Sequence, residues 1–226
     1  ETKQKLGERL VYGSYPELYL TEGLHEKEHY MRDLANAYLL KDIIAFDGIR
    51  NSGKVMDLLK LLAFQLGKEV SLQELGKQLG MSKNTVEKYI DLLEKVYILK
   101  RIGGFSRNLR KEITKTARYY FWDNGVRNAV IGDFRPLASR NDIGQLWENY
   151  LMAERLKKNK YNQTYTETYF WRTYDKQEID CVEVNAEKLA TYEFKWSTGK
   201  AKFPKAFSEA YPESTFEVIS RENYLW

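Results

Sequence analysis

The stretch from Glu178 to Lys195 constrains the fold most, because it has the pattern of a β-hairpin with acidic residues at alternate positions. In its first arm Glu178 and Asp180 are two residues apart and should share one face of a strand, since strand side chains alternate with period two. In its second arm Glu193 and Lys195 share a face for the same reason. Pairing of the two arms across a turn at 185–188 would bring two or three carboxylates and one ammonium group to one end of a small sheet.

This cluster of charges has two interpretations. Carboxylates that lie close together repel each other unless a divalent cation or a proton sits between them, which favours a site for metal-dependent phosphodiester chemistry. A solvated sheet face with cross-strand pairs of Glu and Lys would have the same spacing. The spacing alone leaves both open. The same alternation predicts that Ile179 and Cys181 share the opposite face of the first arm.

The composition favours a globular protein without disulfide bonds or membrane spans. Hydrophobic residues make up 43% of the 226 residues, which is enough for one large domain or two small ones. The net charge of +4 is mild, so only the distribution of charge can argue for a polyanionic partner. The single cysteine, Cys181, excludes an internal disulfide framework and suits a reducing cytosol. No apolar run approaches the roughly 20 residues that span a bilayer, so we expect a cytoplasmic protein with no membrane contact.

A helix-turn-helix pattern occupies the middle of the chain. Apolar residues at helical spacing begin at Val55 and stop at Gly67, a natural helix cap. Ser71 opens a second helix through a capping box, and a third helix is expected from Ser82 to Val96 after a short turn with glycine. The segment 97–121 is then expected to form the wing of a winged helix.

Positive charge in this region predicts contact with DNA. The third helix presents polar residues at its N-terminal end, where recognition helices contact bases and phosphates. The segment 100–118 carries seven Lys or Arg residues against one Glu, which suits contact with a phosphate backbone. A winged helix whose basic face meets an acidic protein domain is the alternative. The candidate nucleic-acid-binding residues are Lys83, Asn84, Thr85, Lys88, Arg107, Arg110 and Lys111.

A nucleotide site is not expected in this chain. Residues 48–54 have the glycine and lysine spacing of a phosphate-binding loop. However, Val55 follows where such a loop needs a Ser or Thr for magnesium, and Arg50 and Asn51 crowd positions that usually hold small residues. We therefore interpret the match as accidental.

The last part of the chain alternates between helix and strand patterns. A helix over 145–157, with Glu148 in its first turn, precedes three strands, a short helix and a final strand, the order of a small mixed α/β sandwich. A carboxylate in a first turn also complements the helix dipole, which is the other explanation of Glu148. We predict an α+β fold with a helical segment over 1–53, a winged helix-turn-helix over 54–121 and a small α/β domain with a mixed sheet over 122–226.

Two resemblances follow from these residues. The order of elements, with Glu148 on the leading helix, Asp180 on the second strand and Glu193-Phe-Lys195 on the third, resembles the PD-(D/E)xK nuclease-like fold of restriction endonucleases. Nearly the whole chain is also similar to the C-terminal half of a large prokaryotic family of AAA-type ATP-binding proteins. The segments that carry this second resemblance are 10–17, 85–94, 120–128, 140–149, 171–173, 178–180 and 193–196.

The second resemblance implies how the chain is placed in a longer protein. In that family a P-loop ATPase module precedes a winged helix and an uncharacterised nuclease-like domain. We therefore expect an ATPase module before Glu1, in keeping with the missing initiator Met, and ATP binding only through that module. The implied partners are DNA and the chain's own ATPase module, and the sequence is compatible with a homo-oligomer.

The resemblance to the nuclease-like fold implies roles for individual residues. Asp180 and Glu193 would hold Mg²⁺ or Mn²⁺, and Lys195 would orient or help deprotonate a water molecule. Glu148 would orient a metal-bound water or add a ligand, so the candidate catalytic residues are Glu148, Asp180, Glu193 and Lys195.

Two further residues are candidates for the surroundings of that site. Glu178 is a candidate outer carboxylate, and Arg172 is a candidate phosphate contact. The competing hypothesis is a regulatory module that binds a partner protein or the ATPase core, with a nuclease-like fold that has lost activity.

Overall fold

The computed structural model describes residues 5–45, 52–106, 117–186, 188–197 and 200–225, with the backbone alone over 38–45. The chain begins with four helices: α1 spans Leu6–Tyr12, α2 Glu17–Leu20, α3 Leu24–Ala45 and α4 Ser52–Phe64. Across these described ranges, no helix has both the length and the apolar character that a bilayer crossing requires.

A winged helix follows these helices. Its elements are β1 at Glu69–Val70, α5 at Leu72–Leu79, α6 at Lys83–Lys95, β2 at Leu99–Gly104 and β3 at Ala117–Phe121. Ser71 and Ser82 cap α5 and α6, because each hydroxyl accepts a hydrogen bond from a backbone N–H three residues later, at 3.3 and 3.1 Å. Strands β2 and β3 pair as an antiparallel hairpin, the predicted wing.

The remaining elements have the predicted order of helix, three strands, helix and strand. A short helix α7 and a 3₁₀ turn at Leu137–Ser139 connect the wing to them. Their bounds are α7 Asn124–Ile131, α8 Ile143–Tyr161, β4 Glu167–Arg172, β5 Glu178–Asn185, β6 Lys188–Phe194, α9 Lys205–Ala210 and β7 Thr215–Ile219.

One mixed sheet joins the wing to the acidic hairpin. The strands lie in the order β1-β3-β2-β4-β5-β6-β7, with β2/β4 and β6/β7 parallel and the other pairs antiparallel. The link between the halves is the pairing of Gly103 with Tyr169 and Gly104 with Phe170. The α+β prediction is confirmed, and the sheet continues across the boundary that the sequence placed at 121/122.

Strand β3 is buried on both faces, which places it between two cores. Tyr119 and Phe121 pack with the helices of the winged helix, whereas Tyr120 packs with Trp147 of α8. A third cluster on the far side of the sheet contains Phe207 of α9. Residues of β3 can therefore reach α8 and the acidic hairpin directly.

The first arm of the hairpin departs from simple alternation. The pairing of β4 with β5 shifts register between Tyr169 and Trp171. As a result, Ile179 and Val182 pack in the cluster that contains Phe207, whereas Cys181 packs in the cluster that contains Trp147 of α8. The prediction that Ile179 and Cys181 share a face is therefore wrong. A bulge of this kind re-aims side chains locally, and it lies beside Asp180.

Candidate active site

Buried amides fix α8 on strand β3. Asn149 pairs with the backbone of Phe121, accepting from its N–H at 2.7 Å and donating to its C=O at 3.0 Å. Asn149 also donates to Asn124 Oδ1 at 2.7 Å, and Asn124 donates to the carbonyl of Leu146 at 2.9 Å. Because buried amides are costly to leave unpaired, this network sets the position of α8 and of its residue Glu148.

A second polar group holds α7 against the N-terminal helices. Asp123 caps α7 by accepting from the N–H groups of Gly125 and Val126 at 2.7 and 3.1 Å, and it accepts from the N–H of Ser14 at 2.7 Å. A Cβ on Gly125 would lie 1.9 Å from the carbonyl oxygen of Tyr12, so no larger residue fits there. Segments 10–17 and 120–128 therefore contact each other here, and their contacts hold the fold together.

Glu148 lies beside the wing. Tyr120 OH donates to Glu148 Oε1 at 2.7 Å, and Arg118 Nη1 lies 3.6 Å from the same oxygen. Burial raises the pKa of Glu148 although Arg118 and Tyr120 favour its charged form. Since α8 begins at Ile143, Glu148 is in the second turn of the helix rather than the first, where the helix dipole acts most strongly. Its contacts therefore explain Glu148 better than the dipole does.

Asp180 lies at the centre of the cluster. Its side chain is buried, and its Oδ2 accepts a hydrogen bond from the backbone N–H of Phe194 at 2.8 Å. Burial raises the pKa of Asp180 well above its usual range, and the charges of Glu148 and Glu193 raise it further. The sheet thus brings these three carboxylates together, and their mutual repulsion calls for a neighbouring cation.

Glu193 and Lys195, at the end of β6, contact each other as predicted. Glu193 is buried, and Lys195 Nζ lies 2.5 Å from Glu193 Oε1. Burial disfavours the Lys195 ammonium, but the hydrogen bond and charge of Glu193 outweigh burial, so the pKa of Lys195 is raised. Lys195 therefore remains charged at neutral pH. It is suited to orienting an anion or a water molecule and poorly suited to removing a proton.

The role of Arg118 in the acidic cluster is not evident from the sequence. Its Nη2 lies 3.1 Å from Glu178 Oε2, and its Nη1 lies 3.9 Å from Asp180 Oδ1 in addition to the contact with Glu148. The residue is only 4% exposed, so its inclusion in the basic run for phosphate contact is wrong. Its position between Ala117 and Tyr119 in a buried strand could have indicated this role, because a charged residue inside a buried strand must have a partner of opposite charge.

The donor set at this cluster is of the kind that hard cations prefer. Carboxylate oxygens bind Mg²⁺ and Mn²⁺, and two carboxylates with water suffice for Mg²⁺. Within the described ranges no three His, Cys, Asp or Glu side chains form a ready metal cage. Asp180 and Glu193 supply two carboxylate groups, which are the kind of ligand that such an ion takes.

The predicted outer residues have different partners. Glu178 joins the cluster through Arg118, with 48% of its side chain exposed. Arg172 Nη1 lies 2.9 Å from Glu69 Oε1 on β1, so its guanidinium forms an ion pair with the winged helix. This contact gives Arg172 a structural role beside its predicted one as a phosphate contact.

The candidate DNA-binding residues lie partly within the described ranges. Lys83, Asn84 and Lys88 are exposed at the N-terminal end of α6, as predicted. Thr85 is half-buried, and its hydroxyl lies 2.9 Å from Ser82 Oγ in the helix cap. Arg107, Arg110 and Lys111, and residues 48–51 of the loop that resembles a phosphate-binding loop, lie outside the described residues.

Comparison with known proteins gives two family matches. Residues 3–137 match the profile of "Domain of unknown function (DUF8612)", and residues 143–223 match that of "Domain of unknown function (DUF4143)". The second domain is found C-terminal to AAA ATPase domains in some families.

Curated relatives match about half of the chain. "Uncharacterized protein Rv2008c" of Mycobacterium tuberculosis is 25% identical over 122 residues, which cover 53% of this chain and 27% of that protein. An "Uncharacterized protein" of Haemophilus influenzae is 24% identical over 126 residues, which cover 54% of this chain and 31% of that protein. The match therefore spans less than a third of each relative. No solved structure matches the chain.

Proposed function

The chain belongs to the family described as "Domain of unknown function (DUF8612)", and we propose that it is the DNA-binding, nuclease-like C-terminal region of an AAA-type ATPase. The match of residues 143–223 to a domain that is found C-terminal to AAA ATPase domains in some families supports the ATPase part of this proposal. The proposed reaction is hydrolysis of DNA with Mg²⁺ or Mn²⁺. The observation that carries the proposal is the convergence of Glu148, Asp180 and Glu193 at one end of a mixed sheet, with Lys195 beside them.

Each member of the cluster has a separate task in this proposal. Asp180 and Glu193 would hold the ion. When bound, the ion would polarise the scissile phosphate and lower the pKa of a water molecule. Lys195 keeps its positive charge beside Glu193, so it orients the attacking water and offsets charge on the phosphate. Glu148 is fixed by Tyr120 and orients water from the helix side.

The exposed end of α6 supports contact with DNA. Lys83, Asn84 and Lys88 face solvent there, in the position from which recognition helices reach a groove. The continuous sheet connects the winged helix to the hairpin through β2 and β4. A duplex bound by α6 would therefore be held at a defined orientation to the acidic cluster.

Nicking of supercoiled plasmid tests the enzymatic part. We expect wild-type protein to nick with Mg²⁺ or Mn²⁺ and not with EDTA, and we expect Asp180→Ala and Lys195→Ala to abolish nicking. Lys188→Ala is the matched control, because it removes an exposed ammonium from the far end of the same hairpin. Absence of nicking by folded wild-type protein, or undiminished nicking by Asp180→Ala, would refute the proposal.

A non-catalytic module is the second candidate, and Arg118 favours it. This guanidinium lies within 3.9 Å of Glu148, Glu178 and Asp180, so the carboxylates are partly neutralised without a metal ion. Binding to labelled duplex DNA at two salt concentrations separates the candidates. Affinity that falls steeply with salt indicates phosphate contact, whereas no binding at either concentration favours a protein partner.

A further inference from the structure

Tyr97, the second residue after α6, has a backbone conformation that is unusual for a residue other than glycine at a helix end. Tyr97 has φ of 57°, its N–H donates to the carbonyl of Glu94 at 3.1 Å, and the N–H of Ile98 donates to the carbonyl of Leu93 at 3.0 Å. This is the Schellman arrangement, in which glycine is preferred because a Cβ crowds the backbone. Tyr97 is 59% exposed, so burial of its ring does not offset that strain.

The ring of Tyr97 is nevertheless held in one place. Its centroid lies 5.8 Å from that of Trp122 in an edge contact, and Trp122 Nε1 donates to the carbonyl of Leu99 at 3.1 Å. Lys160 Nζ donates to Tyr97 OH at 2.8 Å. A strained residue that presents an oriented ring to solvent has the character of a binding residue.

Two adjoining clefts meet at this ring. Their volumes are about 450 and 890 Å³, and both are lined by Tyr97, Trp122 and Lys160. Two further tyrosines of the lining, Tyr161 and Tyr165, are 79% and 93% exposed. The clefts thus offer several aromatic faces along the C-terminal end of α8.

The charge of the lining is positive. Its lysines are Lys95, Lys100, Lys157 and Lys160. Its carboxylates are Glu94, which accepts from the N–H of Arg101 at 2.9 Å, and Asp123, which is buried in the cap of α7. Lys100 pairs with Glu94 at 3.7 Å and Lys157 with Glu154 at 2.7 Å, so the positive charge that the argument uses is that of Lys95 and Lys160. Lysines near a helix C-terminus also complement the helix dipole, but the dipole does not account for the exposed rings.

We propose that these clefts bind a single-stranded nucleic acid, with Tyr97 as a stacking platform and Lys160 as a phosphate contact. Aromatic rings that alternate with cations are what single strands need, since every base has a face that stacks and every linkage has a charge. Such a site is separate from the N-terminal end of α6 and from the acidic cluster. It does not depend on the proposed cleavage.

The test exploits the strain at Tyr97. Tyr97→Gly suits the backbone, so we expect it to keep or raise the melting temperature while it removes the ring. In EDTA, fluorescence anisotropy with labelled oligothymidylate and oligouridylate should show salt-dependent binding by wild-type protein. Tyr97→Gly should bind about five- to a hundred-fold more weakly, the range of a lost stacking contact. Tyr97→Phe keeps the ring and should bind close to wild type.

A matched pair of lysine variants tests the charge. Lys160→Ala should weaken binding of the single strand, whereas Lys202→Ala, which removes an exposed lysine near α9, should not. Equal affinity of Tyr97→Gly and wild type would overturn the proposal. So would absence of binding by wild-type protein at low salt, which would leave the clefts to a protein partner. Loss of plasmid nicking alone would not affect this result, because no cleavage is measured.

Discussion

The carboxylate of Asp180 accepts a hydrogen bond from the backbone N–H of Phe194 at 2.8 Å. The regular pairing of β5 with β6 ends at Cys181 and Tyr192, so the side chain of Asp180 takes a backbone donor just beyond that point. The backbone thereby fixes one carboxylate against the Glu193-Phe-Lys195 segment.

Asp180→Asn should be at least as stable as wild type without metal. Asparagine can accept the same hydrogen bond from Phe194, and it removes repulsion with Glu148 and Glu193. We expect an unchanged or higher melting temperature in EDTA, with about 2–4 °C for each kcal/mol gained. Asp180→Ala loses the hydrogen bond and should melt lower than Asp180→Asn. A marked drop for Asp180→Asn in thermal denaturation would contradict this account of the site.

Arg118→Met should be strongly destabilised. It leaves Glu148, Asp180 and Glu178 without their shared guanidinium, and removing one partner of a buried ion pair costs about 3–5 kcal/mol. Mn²⁺ should raise the melting temperature of Arg118→Met more than that of wild type, because the ion replaces the lost charge. Arg101→Met, at an exposed position on β2, is the control and should change stability by only about 0.5 kcal/mol. Equal stability of the two variants would show that Arg118 does not balance the cluster.

The buried pair of Arg155 and Glu183 should matter for stability alone. Arg155 donates to both carboxylate oxygens, at 2.9 and 2.7 Å. We expect Glu183→Ala to lose about 3–5 kcal/mol in urea denaturation, because it strands a buried charge. The double variant Arg155→Met/Glu183→Leu should recover most of this loss. If the double variant is as unstable as the single one, packing rather than charge is responsible.

Asp133 should contribute stability that acid removes. Hydrogen bonds from Arg135, with the nearby charge of Arg140, lower the pKa of Asp133 to about 2. A carboxylate whose pKa is lower in the folded than in the unfolded protein stabilises the fold. This contribution is complete at pH values above the unfolded pKa of about 3.9, and it is lost as the pH falls through the folded pKa. The difference in unfolding free energy between wild type and Asp133→Asn should therefore be constant near neutral pH and shrink between about pH 4 and pH 2. A difference that does not vary with pH would contradict the assignment.

Periodicity predicted the elements well. The helix from 72 to 79, the wing and the acidic hairpin follow from short-range patterns of apolar residues, caps and turns, and the structure has them at nearly the predicted bounds. The contact of Lys195 with Glu193 also followed from the sequence, because the two residues are two apart at the end of β6.

Long-range placement was less accessible from the sequence. Arg118 belongs to a run of basic residues, and only the pairing of β3 between β1 and β2 shows that its side chain turns inward to Glu148. The bulge beside Asp180 depends on how β4 and β5 align, which alternation along one strand does not encode. The sequence predicts Tyr97 as the first residue of the wing segment, because its positive φ is visible only in the structure.

Titration of metal-free protein with Mn²⁺ in a calorimeter measures whether the acidic cluster binds a metal ion. We expect one saturable site in wild-type protein and none in Asp180→Asn, although that variant should melt at or above the wild-type temperature. No binding by wild-type protein, or equal binding by Asp180→Asn, would contradict the assignment of the acidic cluster as a metal-dependent nuclease site.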